Sequence, residues 1–154
     1  MKKLLLPVFA LLLLGACASV KEAEQTADCK FTLRSVEIAE YNVTSISFDL
    51  TIGITNLSRK QAAAIKRFEG KLDMNDQPIA DVTLKDVRVE PNTTKNAKAH
   101  IVVPMSSFNS KLLGLVSMGS GTVDYHLTGT MYLEGPLGTE VPIPVDIGRL
   151  GSYN

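Results

Sequence analysis

Residues 45–55 read SISFDLTIGIT, with Ile46, Phe48, Leu50, Ile52 and Ile54 in strict alternation with Ser47, Asp49, Thr51, Gly53 and Thr55. A period of two gathers the apolar set on one face only when the chain is extended; a helix would scatter those five residues around its barrel. The stretch therefore reads as a half-buried β-strand. The same alternation recurs in Val123, Tyr125, Leu127, Gly129, Met131 and Leu133, and again in Val141, Ile143, Val145 and Ile147. Shorter versions occur at Phe31 and Leu33, at Phe68, Leu72 and Met74, at Val82 and Leu84, and at Ala99, Ile101 and Val103. Together they predict about seven strands, each with one wet face.

Two antiparallel sheets packed face to face bury such strands efficiently, so the chain is expected to be all-β. A sandwich fits better than a barrel, although alternation alone does not separate the two. Asn75-Asp76-Gln77-Pro78 predicts a hairpin connection, and Glu90-Pro91-Asn92 and Glu134-Gly135-Pro136 mark further turns. Pro142 and Pro144 fall on the polar phase of the last strand and remove two backbone donors, which predicts an edge position. One segment departs from the pattern. In SSFNSKLLGLVSMGSG, residues 106–121, Phe108, Leu112, Leu115 and Val116 stand at helical spacing after Pro104. The spacing predicts one short helix near residues 106–118, capped by Ser106 or Ser107, ended by Gly119 or Gly121, and covering an open end of the sandwich. Ser58 to Ala64 either adds a helical turn or leads straight into a strand.

The amino-terminal stretch is of another kind. Lys2 and Lys3 precede a largely apolar run from Leu4 to Leu14, followed by the small residues Gly15 and Ala16. That run falls short of the roughly twenty apolar residues needed to cross a bilayer. Leu14-Gly15-Ala16-Cys17 resembles the lipobox of bacterial lipoproteins. The resemblance implies cleavage before Cys17, diacylglycerol on its sulfur and, in many bacteria, a further acyl chain on the new amino terminus. Several acyl chains make a stable membrane anchor where one is marginal. Ala18 stands where an aspartate would signal inner-membrane retention, so the implied location is the periplasmic face of the outer membrane. The expected organisation is a signal peptide over 1–16, a lipidated cysteine with a polar tether over 17–28, and a folded domain over 29–154.

Loss of Lys2 and Lys3 with the signal leaves 14 basic residues against 16 acidic ones, a net charge near −2. No nucleic-acid partner is expected without a clustered basic surface. The 138 residues from Cys17 onward suffice for one well-filled core and are too few for two domains of usual size. Tryptophan is absent, so aromatic platforms for sugars are poorly supplied. With Cys17 used by lipid, Cys29 has no partner within the chain and is expected to be a partly buried small hydrophobe opening the first strand.

The polar residues suggest little chemistry. His100 and His126 both sit on polar phases; Asp124 shares a face with His126, yet no third metal ligand accompanies them. No G-x-S-x-G elbow is present, and neither histidine has an orienting partner in sequence. Glu69, Asp73, Asp81 and Asp86 show no pairing that marks acid–base work, and Gly114, Gly119 and Gly121 lie within or after the predicted helix, where no phosphate cradle forms. Asn42-Val43-Thr44, Asn56-Leu57-Ser58 and Asn92-Thr93-Thr94 match the glycosylation pattern, as expected by chance. Arg59, Lys60, Lys66 and Arg67 form the densest basic group and read as a solvated face. No catalytic, cofactor-binding or metal-binding residue is assigned; the one assigned site is lipidation at Cys17.

FDLTIGITN (Phe48 to Asn56), GTVDYHLTGTMYLEG (Gly121 to Gly135) and EVPIPVDIGRL (Glu140 to Leu150) follow one another in an order that resembles the type 2 late embryogenesis abundant proteins, also called the water stress and hypersensitive response domain. FDLTIGITN, Phe48 to Asn56, resembles their long strand ending in an asparagine turn. Tyr125 and Gly129 within GTVDYHLTGTMYLEG, and Ile143, Pro144 and Gly148 within EVPIPVDIGRL, resemble the later strands. The chain departs from the family's frequent Asn-Pro-Asn, having Asn56-Leu57-Ser58, which predicts a differently shaped turn. The resemblance covers roughly residues 30–150. It implies a seven-stranded immunoglobulin/fibronectin type III-like β-sandwich and a noncatalytic role in desiccation or other stress. The leading expectation is a lipid-anchored envelope protein that protects proteins or membranes. The alternative is an accessory that binds a hydrophobic ligand or an envelope protein for transport or assembly.

Overall fold

Ile46, Phe48, Leu50, Ile52 and Ile54, none more than 1% exposed, form the central buried row in the computed structural model, which describes residues 28–118 and 121–153. Their strand is one of seven: β1 (Cys29–Tyr41), β2 (Ser45–Asn56), β3 (Ala63–Met74), β4 (Gln77–Val89), β5 (Thr94–Pro104), β6 (Gly121–Glu134) and β7 (Glu140–Tyr153). One sheet has the order β1-β2-β5 and the other β4-β3-β6-β7, with every pairing antiparallel. This is the expected fibronectin type III-like sandwich. The core lies between the sheets, where the β2 row and Ala97, Ala99, Ile101 and Val103 of β5 meet Phe68, Leu72, Val82, Leu127 and Met131 of the second sheet.

Gly70 and Gly129 stand opposite each other in β3 and β6. A Cβ on Gly70 would strike the Phe68 ring, and one on Gly129 would strike the Glu69 carbonyl oxygen, so the two glycines let the ring and the neighbouring backbones approach closely.

Each open edge is blunted. Pro142 and Pro144 are exposed on β7, an edge strand as their spacing predicts. The β1 edge is broken by register shifts between Leu33 and Ser35 and between Ile38 and Glu40. On β5 the exposed Lys95 and Lys98 oppose addition of a foreign strand, and on β4 Asp86 takes a left-handed backbone, φ 53°.

The turns follow local chemistry. Asn75 and Asp76 have φ of 49° and 63°, the two positive angles that match a two-residue hairpin to strand twist, and Gln77 and Pro78 already belong to β4. In the β1–β2 turn the Asn42 carboxamide oxygen accepts from the backbone N–H groups of Thr44 and Ser45, both at 2.9 Å. Ser58 to Gln61 forms no helical turn; β3 begins directly at Ala63.

The helix is present but begins later than expected. A 3₁₀ turn spans Met105–Ser107, and the α-helix, α1, spans Ser110–Met118. Its cap is neither Ser106 nor Ser107. Asn109 takes that role, its side-chain oxygen accepting from the Leu112 N–H at 2.9 Å. The serines are consumed by the tighter turn, whose N-terminus has no side-chain cap. Of the two expected stop signals, Gly119 lies outside the described residues, as does Ser120, and Gly121 already opens β6. Phe108, Leu112 and Val116 are buried, so α1 closes one end of the sandwich, and the Phe108 ring lies 6.4 Å from that of Phe48.

Candidate functional surfaces

The expected site of lipidation, Cys17, and the whole of residues 1–27 lie outside the described residues. Cys29, the first residue of β1, is half-buried against the core with a free thiol. Burial, reinforced by the neighbouring Asp28 carboxylate, raises its pKa and keeps the neutral thiol favoured. It is the packing residue the sequence suggests.

Strand register places the remaining candidates on the two outer faces. His100 of β5 bonds through Nδ1 to the Asp49 carboxylate of β2 at 2.7 Å, an exposed cross-strand pair. His126 pairs through Nε2 with Asp146 of β7 at 2.5 Å rather than with Asp124. Asp124 instead joins backbone to the β3–β4 turn, its N–H donating to the Asn75 side chain at 2.8 Å. The described residues contain no cluster of three or more His, Cys, Asp or Glu fit to hold a metal. Glu69 and Asp81 line a shallow depression of about 400 Å³ on the outer face of the four-stranded sheet, shared with Lys71, Thr83 and Thr128. A second hollow of about 400 Å³ runs along the seam between edge strands β4 and β5, lined by Ile79, Asp81, His100 and Val102 among others.

The densest basic group divides in space. Lys66 pairs with Glu134 at 3.1 Å. Arg67 is held by Glu140 at 2.5 Å and Glu69 at 3.0 Å, with its guanidinium 3.8 Å from the centre of the Tyr132 ring. The Glu140 hydrogen bond raises the Arg67 pKa further, so its charge is permanent. Glu134 and Glu140 face each other across β6 and β7, and this basic pair neutralises a like-charge contact. Arg59 and Lys60 lie elsewhere, in the β2–β3 loop, and form no ion pair among the described residues.

That loop belongs to the end of the sandwich opposite α1, together with Asp28, the β4–β5 turn and the β6–β7 turn. Asn56 is its centrepiece: 2% exposed, it donates to the carbonyls of Gln61 at 2.8 Å and Val89 at 3.2 Å and accepts from the Ser58 N–H at 3.0 Å. The next residue projects outward. Leu57 is 54% exposed although its N–H donates to the Asp28 carbonyl at 2.8 Å, and Asp28, Leu57, Ser58, Arg59 and Lys60 line a hollow of about 220 Å³. In the β6–β7 turn Leu137 is fully exposed with a left-handed backbone, φ 61° and ψ 23°. Sequence reading missed this pair. A single leucine in a polar loop carries no periodicity, and only the Asn-Leu-Ser departure and the Gly-Pro-Leu-Gly turn marked the places.

No family model matches the chain, and no curated protein matches it. Solved structures do. A protein from Arabidopsis thaliana, solved in solution, is similar with a TM-score of 0.62 at 17% identity, over 79% of this chain and 80% of its own. A second solution structure, described as a late embryogenesis abundant (LEA) protein, has a TM-score of 0.55 at 16% identity, over 94% and 82%. The crystal structure of a protein from Archaeoglobus fulgidus has a TM-score of 0.50 at 12% identity, over 79% and 98%. The architecture is shared with a late embryogenesis abundant protein. At these identities the likeness speaks for fold alone.

Proposed function

We propose that this protein is a noncatalytic, lipid-anchored domain of the bacterial cell envelope, held through Cys17 at the periplasmic face of the outer membrane, which shields proteins or membranes during desiccation or related stress. The observation that carries the reading is the juxtaposition of Leu14-Gly15-Ala16-Cys17 with a sandwich whose polar groups engage in structural pairs. His100, His126, Arg67 and Asn56 are each occupied by a neighbour that explains them without a substrate. The stress role is carried over from the motif resemblance of Phe48 to Asn56, Tyr125, Gly129, Ile143 and Pro144, and the shared architecture is compatible with it. A tether to lipid would raise the local concentration of the domain at the membrane, so that weak surface contacts suffice.

Phe108, Leu112 and Val116 turn their side chains into the core, which supports contact through the outer surface over capture of a hydrophobic ligand under the helix. The test begins with intact mass and membrane partition of the protein expressed with its own signal, beside a Cys17→Ser variant. Lipid mass and membrane recovery that vanish with Cys17 are expected; an unmodified soluble product in both overturns the location. Protection of an added enzyme during drying, beyond that given by an unrelated soluble domain, tests the stress role.

A further inference from the structure

We infer that the end of the sandwich bearing Leu57 and Leu137 docks directly onto the bilayer surface, with Arg59 and Lys60 meeting anionic lipid headgroups. The inference rests on the lipid-anchor reading for its location, and on three features of the structure for its substance.

The first is the Leu137 turn. A left-handed backbone is unfavourable for a leucine, and full exposure wastes its apolar surface, so the conformation costs free energy twice within the isolated domain. The turn nonetheless holds it firmly. Gly135 N–H donates to the Thr139 carbonyl at 2.7 Å, and the Thr139 N–H and hydroxyl donate to the Pro136 carbonyl at 3.2 and 2.9 Å. A leucine presented outward on a braced turn is suited to insert into an apolar medium without further ordering. Leu57 shares this end of the domain from the other sheet.

The second is charge. Acidic groups near this end are largely engaged: Glu134 by Lys66, Glu140 by Arg67, and Glu90 by Arg88 at 3.0 Å. Arg59 and Lys60 have only Asp28 beside them in their hollow, which leaves a local excess of one positive charge. Such a patch near anionic lipid is favourable, each basic residue contributing on the order of 1 kcal/mol at the membrane surface.

The third is where the chain leaves the domain. Asp28 is bonded to Leu57, so the segment leading back to Cys17 departs beside that leucine. Eleven residue steps separate Cys17 from Asp28 and span at most roughly 40 Å. The 13 residues of β1 carry the chain roughly as far, about 40 Å, to the opposite end. That opposite end also exposes apolar side chains, Tyr41 at 55% and Val43 at 91%. Bringing it to the bilayer would require the tether to run taut along the whole domain, whereas the Leu57 and Leu137 end is reached at any extension. Geometry thus separates two otherwise comparable apolar ends.

The chain from Cys17 onward, carrying Cys29→Ala, is coupled through the Cys17 thiol to a maleimide lipid in bilayers of mixed neutral and anionic composition that contain a gadolinium-chelating lipid. Amide signals of residues 57–60 and 137–138 are expected to broaden far more than those of 42–44. The Leu57→Ser/Leu137→Ser double variant removes the difference, and in the uncoupled chain Leu137→Ser weakens vesicle partition roughly tenfold. Leu137→Gly keeps the turn without strain and loses the same partition, so a folding defect cannot imitate the result. Equal broadening at both ends, heavier broadening at 42–44, or a leucine-independent pattern overturns the inference, including the case in which this end serves a protein partner instead. Because the lipid is attached chemically, absence of cellular lipid in the intact-mass experiment refutes the anchor and leaves this result standing by itself.

Discussion

The two ends of the sandwich are closed by opposite means. At one, Leu112 and Val116 of α1 and Phe108 just before it are buried against the core, so closure there is apolar. At the other, closure is polar. Asn56, almost fully buried, binds the loop through Gln61, Val89 and Ser58, and the two loop leucines, Leu57 and Leu137, are turned outward. A hydrogen-bonded plug needs little apolar mass, which frees Leu57 and Leu137 for a partner outside the domain. The helical end thus serves stability, while the asparagine end leaves two leucines open to contact as well.

Substitutions can break this contrast at either end. Leu112→Ala is expected to cost about 3 kcal/mol, through lost burial and the cavity left beneath the helix, measured as a fall in the urea midpoint. Asn56→Ala should cost about 2 kcal/mol in the same experiment, because it leaves the Val89 and Gln61 carbonyls without their donor. Leu137→Gly should do the reverse and stabilise by about 1 kcal/mol, since glycine accepts a left-handed backbone without a Cβ penalty. A loss of stability there would show that Leu137 packs in solution and is no outward anchor.

Cys29 sharpens the contrast through pH. Its pKa is raised in the folded state, so the neutral thiol is preferred by the fold; its contribution is complete below the unfolded thiol pKa and is lost as pH rises through the folded value. Stability should therefore decline on the alkaline side, and Cys29→Ala should flatten that slope in pH-dependent denaturation. The smallest effect belongs to Ser47, whose buried hydroxyl has no hydrogen-bond partner among the described residues. Ser47→Ala is expected to change stability by no more than about 0.5 kcal/mol, or to raise it, because no partner is orphaned.

Legibility from sequence followed the range of the interactions. The β2 row, the edge prolines of β7 and the Asn75-Asp76 turn were readable because each depends on neighbours within a few residues. The helix was readable from its buried spacing, yet its cap was misplaced: the choice between Ser107 and Asn109 turned on a 3₁₀ turn too short to leave a periodic signal. The pairing of Arg67 with Glu140 could not be read at all, since Glu140 is 73 residues away and meets it only through the pairing of β3, β6 and β7.

Alternation and composition were enough to establish that the chain is an all-β domain with one short helix, because side-chain period and turn chemistry are local properties of the backbone. Cys17 was singled out separately, as an expected lipidation site, by the resemblance of Leu14-Gly15-Ala16-Cys17 to a lipobox. The division of the basic residues into a neutralised pair and an open one, the burial of Asn56 and the gathering of Leu57 and Leu137 at one end were decided by tertiary structure alone. Those outcomes depend on which strands lie side by side and which turns share an end, and residues distant along the chain carry no periodic mark of meeting there.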